Sequence, residues 1–270
     1  MPRRLLALAL LLAATVLTWL AFYPEASSAP SLTVYCAAGL KKPVEKLAAQ
    51  FEKDNGLPVS LQYGGTGTLL SQIQVAKQGD LFIAADDGSL DDARRLQLIE
   101  EALPIAVQHP VIAVKKGNPA QIHSLAYLEQ SKFAVANPDA ASISKVTRKL
   151  LGDERWNRLA AAAAVMKPTV TELAADVVLG AVDAAILWNS TVPQFDGLEA
   201  IEVAELQGHR ENASAAVLSV STQVPLALRF ARYLASPDKG APVMQAHQFT
   251  PAGGDPWVAK PELILYSGGV

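Results

Sequence analysis

Short apolar runs alternate with amphipathic segments along most of the chain. The runs are rich in β-branched or aromatic residues and predict strands at 31–38, 58–63, 80–84, 110–115, 133–136, 184–188 and 213–220. Apolar residues recurring every three or four positions predict helices at 40–55, 69–75, 90–98, 144–151, 155–165, 171–179, 225–235 and 243–247. Strands that alternate with helices indicate an α/β fold whose mainly parallel sheets are covered by helices on both faces.

The N-terminal segment has the pattern of an export signal. A short basic start precedes a run at 5–22 that is apolar except for Thr15 and Thr18, and small residues follow at 26–29. This order is typical of a signal peptide, which predicts cleavage near residue 29. The run also approaches the length that spans a bilayer, so an uncleaved N-terminal anchor stays open. Either form predicts a periplasmic or other extracytoplasmic location.

Composition excludes several classes of protein. The 270 residues are 50% hydrophobic and 18% charged, which favours a buried core over a disordered chain or a coiled coil. With 23 Lys and Arg against 26 Asp and Glu, the chain lacks the basic field that nucleic acid requires. The single cysteine, Cys36, allows no internal disulfide and is predicted to pack as a small apolar residue. The four histidines lack metal-site spacing, so no metal cation is expected.

Two glycine-containing loops, at 38–39 and 64–67, stand where a predicted strand ends and a helix begins. A helix N-terminus presents free N–H groups and partial positive charge, and glycine lets a ligand approach the backbone closely. Such a place binds anions, and the Thr66 hydroxyl can either cap its own helix or face a bound oxygen. The Lys-Ser/Thr pair of a P-loop does not follow the glycines. Taken alone, the pattern also fits a turn with a helix cap.

Longer stretches resemble one protein family in their order and spacing. In chain order they are VYCAAGLKKPVEKLAAQFEKDNGLPVSLQYGGTGTLLSQI, GDLFIAADD, NPDAASISKVTRKLL, TVTELAADVVLGAVDAAILW and ARYLASPDKGAPVMQAHQF. Together they resemble the periplasmic molybdate-binding proteins, the solute receptors of oxyanion ABC transporters. The resemblance covers most of the chain beyond residue 30.

The resemblance implies a type II periplasmic binding protein, whose two α/β lobes are joined by crossover strands and hold the ligand between them. Crossovers are expected at 110–114 and 215–220. The implied domains are a signal peptide or anchor (1–29), lobe one (30–112 and 215–262), lobe two (113–214) and a C-terminal tail (263–270). The implied function is capture of an oxyanion, molybdate or tungstate, by a monomer that delivers it to an ABC transporter permease. Neither catalysis nor a cofactor is implied.

The family's anion contacts, carried over position by position, fall at strand ends and helix starts. They are Gly39, Thr66, Ser142, Ile143, Val170, Thr171 and Trp188. Ile143 and Val170 would contribute backbone amides, while Ser142 and Thr171 would add hydroxyls beside them.

Two of these positions depart from the family pattern. Gly39 stands where a Ser is usual, so only its amide remains, and Trp188 stands where a Tyr is usual. The indole N–H of Trp188 can donate but not accept, which suits a fully ionised oxyanion. The departures leave another tetrahedral anion or a different anionic solute open.

Charged residues near the loops have simpler interpretations. Glu172 could add a carboxylate to the site, although a first-turn Glu placed by the helix dipole is favoured. Lys41 and Lys42 are expected to be solvated. Asp86 and Asp87 are expected to end a strand and cap a helix rather than to form a catalytic pair.

Two other functional classes stay open. An exported hydrolase would need a nucleophile and a base; no GxSxG motif occurs, and no histidine lies near a candidate serine in a recognised local pattern. A membrane-anchored sensor would bind the same solute without transporting it. The segment at 251–270 is expected to be an edge strand or a strap over one lobe.

Overall fold

Two β-sheets, each flanked by helices, make up the part of the chain that the computed structural model describes, residues 30–257. We call each sheet with its helices a lobe. The predicted signal peptide or anchor (1–29) and the predicted tail (263–270) lie outside the described residues. Within residues 30–257, no helix is long and apolar enough to cross a membrane. The two-lobe α/β architecture predicted from the sequence is confirmed.

The strands divide between the sheets in a pattern that takes the chain from the first lobe to the second and back. They are Leu32–Ala37 (β1), Val59–Gly64 (β2), Leu81–Ala84 (β3), Ile99–Gln108 (β4), Pro110–Lys115 (β5), Phe133–Ala136 (β6), Val165–Lys167 (β7), Ala184–Trp188 (β8), Leu198–Ile201 (β9), Glu211–Leu218 (β10) and Thr250–Pro251 (β11). The first sheet has the order β11-β4-β10-β3-β1-β2, and the second has the order β7-β6-β8-β5-β9.

Both sheets are mixed. The pairs β1–β2, β1–β3, β6–β7 and β6–β8 are parallel, as the alternation of strands and helices predicts. The strands next to the crossings (β4, β5, β9 and β10) and the edge strand β11 pair antiparallel with their neighbours. Each sheet therefore contains a parallel part, and antiparallel strands complete it.

Helices connect the parallel strands and cover both faces of the sheets. They are Lys41–Asn55 (α1), Thr66–Ala76 (α2), Asp87–Arg95 (α3), Leu125–Glu129 (α4), Ser142–Leu151 (α5), Asp153–Ala162 (α6), Val170–Leu179 (α7), Val224–Ala235 (α8) and Gly240–Ala246 (α9). On one face of the first sheet, Cys36 belongs to a buried cluster with Phe51 of α1 and Phe230 of α8. Its neighbour Tyr35 packs on the other face with Ile73 of α2.

Cys36 behaves as the sequence predicts. Its side chain is completely buried, and this burial raises the pKa of the thiol far above its ordinary value. The thiol therefore stays protonated and packs as a small apolar group.

Three short elements and one long strand escape the sequence prediction. The elements α4, β7 and β9 are short. The long strand β4 carries Glu100, Glu101 and Pro104, which interrupt its apolar pattern. Its register with β10 shifts where Ala106 faces Ala213 but Pro104 faces Ser214. A proline is tolerated at such a bulge, and the irregularity hides the strand from a search for alternation.

The chain crosses between the sheets at two places. The first crossing is the single residue His109, between β4 and β5, and the second is the segment 202–210, between β9 and β10. The predicted lobe boundaries, 112/113 and 214/215, lie within β5 and β10. Because β4 and β10 belong to the first sheet and β5 and β9 to the second, we propose that His109 and the segment 202–210 are the hinges between the lobes.

Buried hydrogen bonds fix the first crossing. The amide of His109 donates to Asn189 Oδ1 (2.8 Å), and the Asn189 amide donates to the His109 carbonyl (2.9 Å). Gln108 donates through Nε2 to the Ala85 carbonyl (2.9 Å) and accepts from the Ser190 hydroxyl (2.6 Å). Gln108 thus joins the end of β3 in one lobe to the residues after β8 in the other.

Asp86 caps α3, as predicted, in a fully buried position. Its Oδ2 accepts from the amide of Ser89 (2.8 Å), whereas its Oδ1 is buried with no hydrogen-bond partner in the described part of the chain. Burial raises the pKa of Asp86; the hydrogen bond from Ser89 and the charge of Lys145 oppose this shift, and Glu211 adds to it. Burial therefore disfavours the ionised carboxylate of Asp86 relative to that of an exposed aspartate.

We expect Asp86→Asn to raise the melting temperature at pH 7 by about 2–4 °C, corresponding to about 1 kcal/mol. Asn keeps the cap and removes a buried charge. Because the folded-state pKa of Asp86 is raised, its contribution to stability is fully present below the unfolded pKa and is lost as pH rises through the folded pKa. The difference between the proteins should therefore vanish below about pH 4.

Calorimetric melting between pH 3.5 and 7 measures this difference. Asp91→Asn, on the exposed surface of the same helix, is the matched control and should change the melting temperature little at either pH. A lower melting temperature for Asp86→Asn at pH 7 would show that the site stabilises the ionised carboxylate.

Candidate functional site: an anion cleft between the lobes

Five chain segments meet between the sheets, mainly at the carboxyl ends of parallel strands, where open α/β folds bind ligands. The first lobe contributes the 3-10 turn Ala38–Leu40 after β1 and the loop that leads from β2 into α2. The second lobe contributes the starts of α5 and α7 and the end of β8. Three helix N-termini therefore come together, one from the first lobe and two from the second.

These segments enclose a cavity of about 10 Å³, which we call the inner cavity. Five of the predicted contacts line it, namely Gly39, Thr66, Ser142, Val170 and Trp188. A volume of this size has room for about one water molecule. An oxyanion can therefore enter only when the lobes move apart.

The other two predicted contacts lie close by. Thr171 lines a larger chamber next to the inner cavity. The side chain of Ile143 is completely buried in the core of the second lobe, and its amide lies in the first turn of α5. Amides in a first helical turn have no acceptor within their own helix, so this one can serve a ligand.

One backbone carbonyl joins the lobes at the GGTG loop. The Ala140 carbonyl accepts from the amides of Gly67 (2.9 Å) and Thr68 (3.3 Å), which lie in the first turn of α2. Beside it, the Thr66 hydroxyl donates to Ser142 Oγ (3.3 Å). Amide donors at the start of α2 are thus held by the opposite lobe.

The glycines of this loop permit that approach. A Cβ atom on Gly65 would lie 2.3 Å from the Ala140 carbonyl oxygen and 2.5 Å from the Pro168 carbonyl oxygen. A Cβ atom on Gly67 would lie 2.1 Å from the Asp139 carbonyl oxygen. Such distances exclude any side chain at either position while the lobes touch.

Gly39 also lies close to the second lobe, although less closely than Gly65 and Gly67. A Cβ atom there would lie 3.2 Å from both Thr191 Oγ1 and Val170 Cγ2. The Gly39 carbonyl accepts from Gln194 Nε2 (2.8 Å). The Thr191 hydroxyl is buried and has no hydrogen-bond partner among the described residues. In this chain, packing against Thr191 and Val170 leaves little space for the Ser that the family usually has.

The larger space next to the inner cavity has a volume of about 570 Å³, and we call it the outer chamber. It shares Ala38, Gly64, Gly65 and Thr169 with the inner cavity, so the two are adjoining parts of one cleft. Its remaining lining residues are Lys41, Lys42, Tyr63, Thr68, Pro168, Thr171, Glu172, Gln194 and Phe195.

Two lysines and a tyrosine give the outer chamber its polar character. Lys41 Nζ lies 5.2 Å from the centre of the Tyr63 ring, and Lys42 Nζ lies 5.7 Å from the centre of the Phe195 ring. Lys42 also donates to the Gln194 carbonyl of the opposite lobe. The Tyr63 hydroxyl is buried without a hydrogen-bond partner in residues 30–257. Burial, together with the charge of Glu45, raises the pKa of Tyr63 well above its ordinary range.

Glu172 contributes to a helix cap at the edge of the chamber. Its amide donates to Thr169 Oγ1 (3.2 Å), and the Thr169 hydroxyl donates to its carboxylate (2.6 Å). This pair satisfies one amide at the N-terminus of α7, that of Glu172, and it places the carboxylate in the first turn, as the favoured interpretation of Glu172 expects. Thr169 Oγ1 also lies 3.1 Å from Thr171 Oγ1, so both hydroxyls are already engaged.

Sequence reasoning missed three groups at this site: the carbonyl of Ala140, the amide of Gln194 and the hydroxyl of Thr191. A backbone carbonyl cannot be recognised from the pattern of side chains. Gln194 and Thr191 lie 155 and 152 positions after Gly39 in the chain, too far for a local pattern to connect them. The only available signal is the unusual Gly39 itself, which indicates that a neighbour approaches closely. Among the described residues, no cluster of three or more His, Cys, Asp or Glu side chains could hold a metal cation.

The chain matches the family described as "Bacterial extracellular solute-binding protein" over residues 32–248. A putative binding protein of Haemophilus influenzae is 30% identical over 165 residues, which cover 60% of this chain and 67% of that protein. The molybdate-binding protein ModA of Mycobacterium bovis is 25% identical over 207 residues, covering 75% of this chain and 78% of ModA.

A solved structure shares the fold. The periplasmic molybdate-binding protein of Azotobacter vinelandii aligns with a TM-score of 0.65 at 16% identity, covering 81% of this chain and 98% of that one. At this identity the likeness concerns the fold alone. The family is one of solute-binding proteins, which agrees with the expectation that the chain is not an enzyme. With a two-lobe fold, a cleft between the lobes and a match over 32–248, the chain belongs to the bacterial extracellular solute-binding proteins.

Proposed function

We propose that the protein captures a tetrahedral oxyanion in the inner cavity, with molybdate and tungstate as the first candidates, and delivers it to the permease of an ABC transporter. The observation that carries this proposal is the meeting of three helix N-termini, those of α2, α5 and α7, around one cavity. We further propose that the chain acts as a monomer and that the segment 1–29 directs it out of the cytoplasm.

Donors alone line the anion position in this proposal. The amides at Gly39, Ile143 and Val170 and the hydroxyls of Thr66 and Ser142 come from both lobes. Hydrogen bonds to an ionised group are stronger than those between neutral groups, and a fully ionised oxyanion accepts without needing to donate. Among residues 30–257, no lysine or arginine lines the inner cavity. The partial positive charge at the helix N-termini attracts the anion instead.

Ligand binding and closure are coupled through the Ala140 carbonyl. In the closed arrangement this carbonyl holds the amides of Gly67 and Thr68, which are donors at the start of α2. An anion enters while the lobes are apart, and this contact forms again as the lobes close over it. Because the other donors lie on the opposite lobe, the bound anion favours a closed form, which a permease can recognise.

Titration calorimetry of the purified protein tests the proposed solute. We expect saturable binding of molybdate or tungstate, with sulfate and phosphate as comparison anions. Thr66→Val should weaken binding tenfold or more, since a hydrogen bond to a charged group contributes about 1.5–3 kcal/mol. Thr250→Val, on the exposed edge strand β11, is the matched control and should leave the affinity unchanged. No heat with any of the four anions, in a protein shown to be folded, would refute the oxyanion assignment.

Gly65→Ala tests whether direct lobe contact belongs to the binding-competent form. Its methyl group would meet two backbone carbonyls of the opposite lobe, so the lobes should stay apart. We expect about a tenfold loss of affinity for the bound anion, about 1.4 kcal/mol, and a larger radius of gyration in solution scattering with ligand present.

Gly64→Ala is the matched control, because a Cβ atom there meets only the Leu69 side chain of its own lobe, at 3.1 Å. It should bind within about threefold of the unchanged protein. If Gly65→Ala binds and closes as the unchanged protein does, the contact at Ala140 has no part in ligand capture.

A further inference from the structure

The hydroxyl of Thr191 is a buried polar group that the described part of the chain leaves unsatisfied. Thr191 is 1% exposed, and its Oγ1 has no hydrogen-bond partner among residues 30–257. Such a group is costly, so native proteins rarely keep one unless a ligand or an ordered water satisfies it. A valine would fill the same space without this cost. The hydroxyl is therefore a candidate for contact with a ligand.

Hydrogen bonds of the backbone fix the position of this hydroxyl. The Thr191 amide donates to the Trp188 carbonyl at the end of β8 (2.9 Å), and the Thr191 carbonyl accepts from the Gln194 amide (3.1 Å). Gln194 Nε2 donates to the carbonyls of Ser190 (2.9 Å) and, in the other lobe, Gly39 (2.8 Å). Thr191 therefore belongs to a turn of the second lobe that is held against the turn after β1.

The hydroxyl lies at one corner of the anion site. A Cβ atom on Gly39 would lie 3.2 Å from Thr191 Oγ1. The same point is 3.2 Å from Val170 Cγ2 and 3.8 Å from Trp188 Cδ1. Gly39, Val170 and Trp188 all line the inner cavity. Gly39 covers the hydroxyl from the opposite lobe, so this cover is removed when the lobes move apart to admit an anion.

The two sides of this corner differ in which lobe carries a hydroxyl. Gly39 stands where the family usually has a serine, whose hydroxyl would project from the Cβ position of residue 39. In this chain Thr191 Oγ1 lies next to that position. The first lobe thus lacks a hydroxyl at the point where the second lobe presents one without a partner.

We propose that the Thr191 hydroxyl donates a hydrogen bond to the bound anion, in place of the serine hydroxyl that the family usually has on the first lobe. The inference rests on the proposed function, because the anion is the one held by the helix N-termini around the inner cavity. A hydrogen bond to an ionised group is stronger than one between neutral groups. The bound form therefore recovers what the free form loses by burying an unpaired hydroxyl.

Titration calorimetry and thermal melting of Thr191→Val test the inference. The probe is the anion, among molybdate, tungstate, sulfate and phosphate, that the unchanged protein binds most tightly. Thr191→Val keeps the shape and removes the hydroxyl, so we expect binding to weaken tenfold or more. Without ligand, the same variant should melt about 2 °C or more above the unchanged protein, because no unpaired hydroxyl is buried.

Two further variants are the controls. Thr191→Ser keeps a hydroxyl and should bind within about threefold of the unchanged protein. Thr33→Val makes the same substitution at the start of β1, the end of the strand away from the cleft, and should leave the affinity unchanged. If Thr191 only packs, Thr191→Val should raise the melting temperature and leave the affinity as it is, which would overturn the inference.

A double variant tests whether the hydroxyl can be returned to the first lobe. The backbone of Gly39 lies outside the left-handed region, so a serine fits its conformation. Gly39→Ser alone should weaken binding, because its Cβ atom crowds Thr191 and Val170. Thr191→Ala alone should weaken binding by loss of the donor. Together, Gly39→Ser and Thr191→Ala should bind at least fivefold more tightly than Thr191→Ala. A double variant no better than Thr191→Ala would contradict the exchange of hydroxyls.

The outcomes separate this inference from the proposed function. If Thr66→Val weakens binding of the anion and Thr191→Val does not, the inference fails alone. If none of the four anions binds the folded protein, the proposed function fails and the inference fails with it.

Discussion

At the GGTG loop, backbone contact between the lobes depends on the approach of one carbonyl to the start of one helix. The Ala140 oxygen takes the place at Gly67 and Thr68 that an anion would take at any free helix N-terminus. A carbonyl carries only partial charge, so its hold on these amides is weaker than that of an ionised ligand. The closed arrangement can therefore form without a solute and still give way to one. This balance is what a receptor needs if it must both capture and release.

The same contact explains the residue types around the cleft. Backbone meets backbone at Gly65 and Gly67, and Gly39 lies against Val170 and Thr191. A side chain at Gly65 or Gly67 would hold the lobes apart, and the hydroxyls that line the inner cavity belong to Thr66, Ser142 and Thr169. The outer chamber differs, since its lining includes two lysines and a glutamate. The cleft thus joins a small part bounded by close backbone contacts to a larger part that carries charged side chains.

The sequence could predict the elements whose pattern is local. The βα units, the buried Cys36, the cap at Asp86 and the order of the loops all follow from residues within one or two turns of one another. No strand was predicted at β4, because a bulge at Pro104 and two glutamates break the alternation of apolar and polar residues. At the site, family resemblance pointed to segments that lie together in the structure, and five of the predicted residues line one cavity. The Ala140 carbonyl and the Gln194 amide could not be predicted, because contacts between lobes depend on how two separately formed surfaces meet.

The position of β10 has a consequence for biogenesis. All five strands of the second sheet lie in one continuous stretch of chain, whereas β10 fills the gap between β3 and β4 in the first sheet. The first sheet therefore stays divided until residues 211–218 have been added, and its closing contacts join segments more than 100 residues apart. If the chain emerges from a translocation pore N-terminus first, the second lobe can complete its folding while the first still waits for a strand. The direction of export then determines the order in which the two lobes, and so the two sides of the cleft, are completed.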